Sequence, residues 1–223
     1  MNIAILSANL GSFDTNPKDP VSQWSDKKGT VNIIFHRFTD EDFPPIADIN
    51  PRFQYRIPKL FGWEMFPGHD IYIWLDAGMS LQRPDSVEWF LGQLGEADMA
   101  FFRHPWRGTV KQEVEHVEKK LQENNRYITP RYKNGLHKEL HKLMQADSSF
   151  RDEHLFASNV FIYRNNPNVH EMMKHWWYYQ SRYFTVDQIA LSYAMSLTKN
   201  LTVNKIPDNL FKIGYISLVS QHK

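Results

Sequence analysis

The chain has 223 residues, enough for one α/β domain, with 42% hydrophobic and 14% aromatic residues, so a sizeable core can be buried. Lys plus Arg number 26 against 25 Asp plus Glu, and this near balance argues against a nucleic-acid binder that neutralises many phosphates. There is no cysteine, which excludes disulfides and thiolate metal sites.

The first apolar run, Asn2 to Ala8, ends in Asn9-Leu10-Gly11-Ser12, as a buried parallel strand feeding a loop does. Its flanks lack the basic residues and long apolar core of a signal peptide, and no run reaches the ~18 apolar residues of a membrane span. The expectation is a soluble, cytoplasmic protein. Val31 to Phe35, Ile71 to Leu75, Met99 to Phe102 and Val160 to Tyr163 read as four further strands. Ser86 to Gly95 carries apolar residues at helical spacing, and Val110 to Asn124, Gly135 to Gln145, Val169 to Tyr183 and Val186 to Leu197 follow as helices. Strands alternating with helices predict a single α/β domain over 1–223, with a mostly parallel central sheet covered on both faces. Asp14 to Lys28 and Asp40 to Pro51 read as long surface loops.

In open α/β sheets ligands settle at the carboxyl ends of strands, so the residues after each apolar run are the ones to weigh. Ile71-Tyr72-Ile73-Trp74-Leu75-Asp76-Ala77-Gly78 is a strand ending in an acid and two small residues. A carboxylate there can hold a hard divalent cation bridging two phosphates, and Ala77 and Gly78 let a ligand approach the backbone. It can equally cap the next turn. Arg56 and Lys59, one helical turn apart just upstream, suit phosphate oxygens, although a solvated helix face is the usual fate of such a pair. Thr185 reads as the N-cap of the last long helix, with Asp187 in its first turn. His104 and Arg107 follow the fourth strand, while Ser158 and Asn159 precede the fifth, where neutral polar groups suit sugar hydroxyls or form a plain turn. Trp176, Trp177, Tyr178 and Tyr179 read as core packing ahead of an exposed stacking platform. The charged helix from Lys111 to Glu123 reads as a solvated face.

Six segments in register carry a resemblance. They are Ala8-Asn9-Leu10-Gly11-Ser12-Phe13-Asp14, Phe38-Thr39-Asp40, Arg56-x-x-Lys59 with Phe66-Pro67, Tyr72-x-Trp74-Leu75-Asp76-Ala77, His104-Pro105-Trp106-Arg107 with Glu113, and Phe184-Thr185-Val186-Asp187-Gln188. Together they resemble the glycosyltransferase-like domain family of plant cell-wall and mucilage proteins and large-virus glycan enzymes. The resemblance implies the GT-A fold and transfer of a sugar from a uridine diphosphate donor to a glycan acceptor, with Mn2+ or Mg2+ on Asp76. It implies donor contacts at Ala8, Asn9, Leu10, Arg56, Lys59, Asp76, Ala77, Gly78, His104, Arg107, Ser158 and Asn159, and Asp187 as the base that takes the acceptor proton in an inverting reaction. Gly78 stands where many GT-A enzymes have the second acid of Asp-x-Asp, leaving one local carboxylate. His222 is a metal ligand only by analogy.

Two other readings compete. The Gly78 departure keeps open a carbohydrate- or nucleotide-sugar-binding domain without catalysis. A different nucleotide-using α/β enzyme is disfavoured, because no Gly-x-Gly-x-x-Gly follows the first strand and no phosphate-binding Gly-Lys-Ser/Thr loop is present.

Overall fold

The computed structural model describes residues 1–11, 14–15, 17–21, 23–24, 29–44 and 51–218. His222, and Ser12 and Phe13 of the first loop, lie outside the described residues.

Six strands form the central sheet in the order β2-β1-β3-β6-β5-β7. They are β1 (Asn2–Ala8), β2 (Asn32–Phe38), β3 (Ile71–Asp76), β5 (Met99–Arg103), β6 (Phe156–Arg164) and β7 (Val203–Ile206). β1 pairs parallel with β2 and β3, and β5 pairs parallel with β7, but β6 runs antiparallel to both β3 and β5. The sheet is therefore mixed and mostly parallel. A two-stranded ribbon, β4 (Met79–Leu81) against β8 (Ile216–Leu218), stands beside it.

Burial on both faces explains the unbroken apolar runs. In β1, Ala4, Leu6 and Ala8 join one core while Ile3 and Ile5 join the other. In β3, Tyr72 and Trp74 face the first core, and Ile71, Ile73 and Leu75 the second. This period-two split needs apolar residues at every position, as in strands covered by helices on both sides. The first face is covered by residues of α2 (Arg56–Met65), α4 (Val110–Gln122), α6 (His137–Ala146), α7 (Pro167–Tyr183) and α8 (Asp187–Leu197). The second carries α3 (Ser86–Leu94) and the ribbon. Two short helices, α1 (Pro51–Gln54) and α5 (Thr129–Tyr132), complete the first layer.

Local chemistry sets the helix starts. Thr109 caps α4 by accepting from the Gln112 amide at 3.2 Å, and the Asp152 carboxylate accepts from the Val110 and Lys111 amides at 2.6 and 2.9 Å. Asn166 caps α7 through the Val169 amide at 3.0 Å, with Pro167 at the first position. α7 ends at Phe184, whose φ of 51° is left-handed without being glycine. The expected cap of α8 is corrected here: Val186 holds the N-cap position, and the Thr185 hydroxyl is buried without a partner among the described residues.

The candidate site at the open edge of the sheet

Period two within β3 puts Asp76 on the same face as Tyr72 and Trp74, toward the layer containing α2, α7 and α8. Two donors meet its Oδ1, the Trp74 indole at 2.7 Å and the Lys59 ammonium at 3.1 Å. Its side chain remains 32% exposed, and Oδ2 has no protein donor among the described residues. Desolvation raises its pKa above the ordinary aspartate value, against the opposing pull of Lys59.

Lys59 is 1% exposed and reaches a second carboxylate, Asp187, at 2.8 Å. Arg56, 3% exposed, lies 3.2 Å from the other oxygen of Asp187 and also donates to the Thr185 carbonyl at 3.0 Å. The rings of Phe53, Tyr132 and Phe184 surround its guanidinium at 5.6, 5.8 and 6.0 Å. Asp187 receives further bonds from Tyr55 at 3.3 Å and from the Gln180 amide, and its own carbonyl accepts from Trp176 at 3.1 Å. Burial alone would raise the Asp187 pKa, yet Lys59 and Arg56 outweigh it and hold the carboxyl at about 2. The Tyr55 phenol moves far up, through burial first and then the two carboxylates, so it stays a donor. Two cations and two carboxylates thus form a set with no net charge, buried except at Asp76.

This set borders a cleft of about 500 Å³. Asp76, Gly78, His104, Arg107, Ser158, Asn159 and Asp187 line it. Arg56 and Lys59 do not. Their heads point into the carboxylates, which differs from the expected open diphosphate clamp and has a plain cause: a buried cation needs a paired anion. Ala77 is buried and also off the cleft. Ala8 ends β1 as the register partner of Asp76, and Asn9 and Leu10 follow it, but none of the three lines the cleft. Asn9 is engaged with Asp14, donating to its carbonyl at 3.0 Å and accepting from its amide at 3.1 Å.

The reversed direction of β6 brings Ser158 and Asn159 here. β6 begins at Phe156, so the two residues sit within the strand and not in a turn before it. Near the start of a parallel strand they would lie at the far edge of the sheet, whereas in this antiparallel one they join the carboxyl ends of β3 and β5. The His104 Nδ1 accepts from the Trp106 and Arg107 amides at 3.4 and 3.2 Å, and its ring faces Arg107 at 3.1 Å. Burial and the Arg107 charge lower the imidazole pKa to about 4, so His104 is neutral at physiological pH. Arg107 is bonded to Glu113, a carboxyl whose pKa burial raises in spite of that cation.

Several lining residues escaped sequence reading. Glu113, His116 and Lys120 lie at i, i+3 and i+7 on α4 and present one face to the cleft, so this helix is more than a solvated surface. Only Glu113 carried a signal, as the acid following His104-Pro105-Trp106-Arg107. Tyr55, Tyr127, Ile128, Tyr132 and Phe211 had none, because loop and short-helix residues come together only in three dimensions.

A concave cleft lined by both aromatic and polar side chains at the carboxyl edge of a mixed α/β sheet, with an acid at the end of a central strand, defines the class of small-ligand α/β domains. Residues 45–222 match the family described as TOD1/MUCI70, glycosyltransferase-like domain, and the chain belongs to it. No curated protein matches the sequence. Among solved structures, a glycosyltransferase involved in glycosylation of the major capsid of PBCV-1 is 9% identical, covers 95% of this chain and 82% of its own, and superposes with a TM-score of 0.45. Mouse xyloside xylosyltransferase 1, in its apo form, is also 9% identical, over 92% of this chain and 85% of its own, at 0.44.

Proposed function

We propose that the chain transfers a sugar from a nucleotide diphosphate donor to a glycan acceptor within this cleft. The observation that carries the reading is the half-buried Asp76 carboxylate, fixed through one oxygen by Lys59 and Trp74 and open through the other, in a member of a glycosyltransferase-like family. Uridine as the base of the donor rests on the family resemblance.

The donor set fits a hard cation sparingly. Among the described residues no group of three or more His, Asp or Glu could enclose one, and Asp76 Oδ2 is the carboxylate oxygen its own hydrogen bonds leave open. Mg2+ and Mn2+ suit such a site, because they keep waters and share phosphate oxygens with one or two carboxylates. A Mn2+ or Mg2+ held by Asp76 would supply positive charge against the diphosphate.

The residues themselves divide the remaining work. Arg107 brings a cation into the cleft, and Ser158 and Asn159 offer neutral hydrogen bonds to sugar hydroxyls. Asp187 has a pKa of about 2 and bonds to Lys59, Tyr55, Arg56 and Gln180, which suits an anchor for the two buried cations better than a proton acceptor. A base works best with a pKa near the operating pH. The proposal therefore assigns Asp187 to holding Lys59, and through Lys59 to aiming Asp76. The same occupied carboxylate favours a second reading, a domain that binds a nucleotide-sugar or glycan without transferring it.

Thermal-shift titration with a panel of UDP-sugars and MnCl2 tests the first part. Stabilisation by one donor, dependent on Mn2+ and lost in Asp76→Asn, is expected, whereas no shift with any nucleotide-sugar sinks the reading. Release of UDP in the presence of a glycan acceptor separates transfer from mere binding.

A further inference from the structure

Four large aromatic side chains are exposed among the described residues: Trp106 at 71%, Tyr178 at 52%, Tyr127 at 46% and Phe211 at 43%. Three of them, Trp106, Tyr127 and Phe211, line the cleft. Trp106 lies in the turn after β5 and Phe211 in the segment after β7, so two adjacent strands deliver them side by side. Their rings stack with centroids 5.8 Å apart and planes 19° apart, and the His104 ring meets Trp106 edge-on at 5.7 Å. The indole is therefore braced on two sides and still largely open to water. Leaving that much apolar surface uncovered forgoes the usual gain from burial, which marks it as a place that another molecule covers.

We propose that the Trp106–Phe211 stack is a platform for a pyranose ring of the acceptor glycan; the acceptor role rests on the transfer reading above. A pyranose has one face of C–H groups and a rim of hydroxyls. The flat apolar face matches an open indole, and the rim matches the polar lining formed by Ser158, Asn159, Asn125 and Lys120. Sheet order selects the acceptor over the donor. β5 and β7 form one flank of the sheet and β1 and β2 the other, with Asp76 on β3 between them. A diphosphate held at Asp76 with its nucleoside directed toward the β1–β2 flank would leave the β5–β7 flank to the sugar that accepts.

The test uses a glycan array probed with the intact chain without nucleotide, and methyl pyranosides titrated by tryptophan fluorescence. Wild type is expected to bind at least one arrayed glycan, Trp106→Phe to keep that binding within a few-fold, and Trp106→Ala and Phe211→Ala to weaken it tenfold or more, with UDP-sugar binding unchanged in all three. Phe211→Ala, remote in sequence from the turn after β5, guards against a misfolded Trp106→Ala. Equal glycan binding by wild type and both alanine variants overturns the platform, as does failure of wild type to bind any glycan at millimolar concentration. A loss of nucleotide affinity in Trp106→Ala overturns it too, by making the stack a nucleobase site. Glycan binding that depends on Trp106 in a chain that binds no nucleotide-sugar keeps the platform and discards the transfer reading.

Discussion

Lys59 touches two carboxylates at once, which makes it the most consequential single side chain near the cleft. Replacing it by Met keeps the apolar stem and removes the charge, leaving Asp187 buried with one cation and Asp76 with none. Breaking a buried pair in this way costs about 3–5 kcal/mol, to be read as a shift of the urea midpoint at constant slope. Lys59→Arg is not conservative here, since a planar fork replaces a point charge that sits between two oxygens. The same chemistry sets the response to acid. Asp187 is held at about 2, below the ordinary aspartate value of ~3.9, so its stabilisation is complete above that value and drains as pH falls toward 2. Asp76 is raised and acts in the opposite sense, costing stability once ionised. His104 is held neutral down to about 4, while in the unfolded chain it takes a proton near ~6.5. Between those two values the unfolded state binds the extra proton, so stability is lost as pH drops through that window. Urea midpoints measured from pH 7 to pH 4 are expected to fall for wild type and to fall less for His104→Gln. An equal fall in wild type and in His104→Gln would contradict the burial of that imidazole.

At the scale of elements, α4 is the piece whose loss reaches the cleft first, because Glu113, His116 and Lys120 all ride on it. Its N-terminus depends on Asp152, which caps two amides from outside the helix. Asp152→Ala is expected to cost about 0.5–2 kcal/mol, the range for a lost cap, in a chemical-denaturation curve. The five apolar runs read from the sequence all form strands, with β1 matching residue for residue, and the five helices expected fall within two residues of their ends, while α2, as long as α6, was not among them. These are the segments whose burial forces a period. What stayed hidden follows from the same physics. A strand buried on both faces has no polar side to reveal its direction, so the reversal of β6 was invisible, and with it the reason Ser158 and Asn159 reach the cleft. The ribbon of β4 and β8 and the short β7 are too brief to show any period. Arg56 and Lys59 read as a pair on one helical turn, but their partner Asp187 lies 128 residues beyond Lys59, and no local pattern encodes that distance.

For the molecule as a whole, the arrangement predicts where it opens. β1, β3, β5 and β6 carry the residues of both cores and have strand partners on two sides, so their amides exchange only when the entire fold opens. The β4–β8 ribbon has three residues per strand, is separate from the central sheet, is tied outside itself by the Val21 amide donating to the Leu81 carbonyl at 3.3 Å, and ends in Leu218, which is 61% exposed. Its amides are expected to exchange by local opening, well ahead of the sheet. Gly78 and Met79 at the start of β4 and Leu218 at the end of β8 line the cleft, so a ligand seated beside Asp76 contacts this ribbon. Hydrogen exchange followed by mass spectrometry, with and without a UDP-sugar and Mn2+, reads this directly. Slowed exchange confined to peptides covering 77–82 and 214–218, with the central strands unchanged, is the expected outcome. Protection spread evenly over the sheet would mean that ligand acts by stabilising the fold globally, and the ribbon would then have no special part in closing the site.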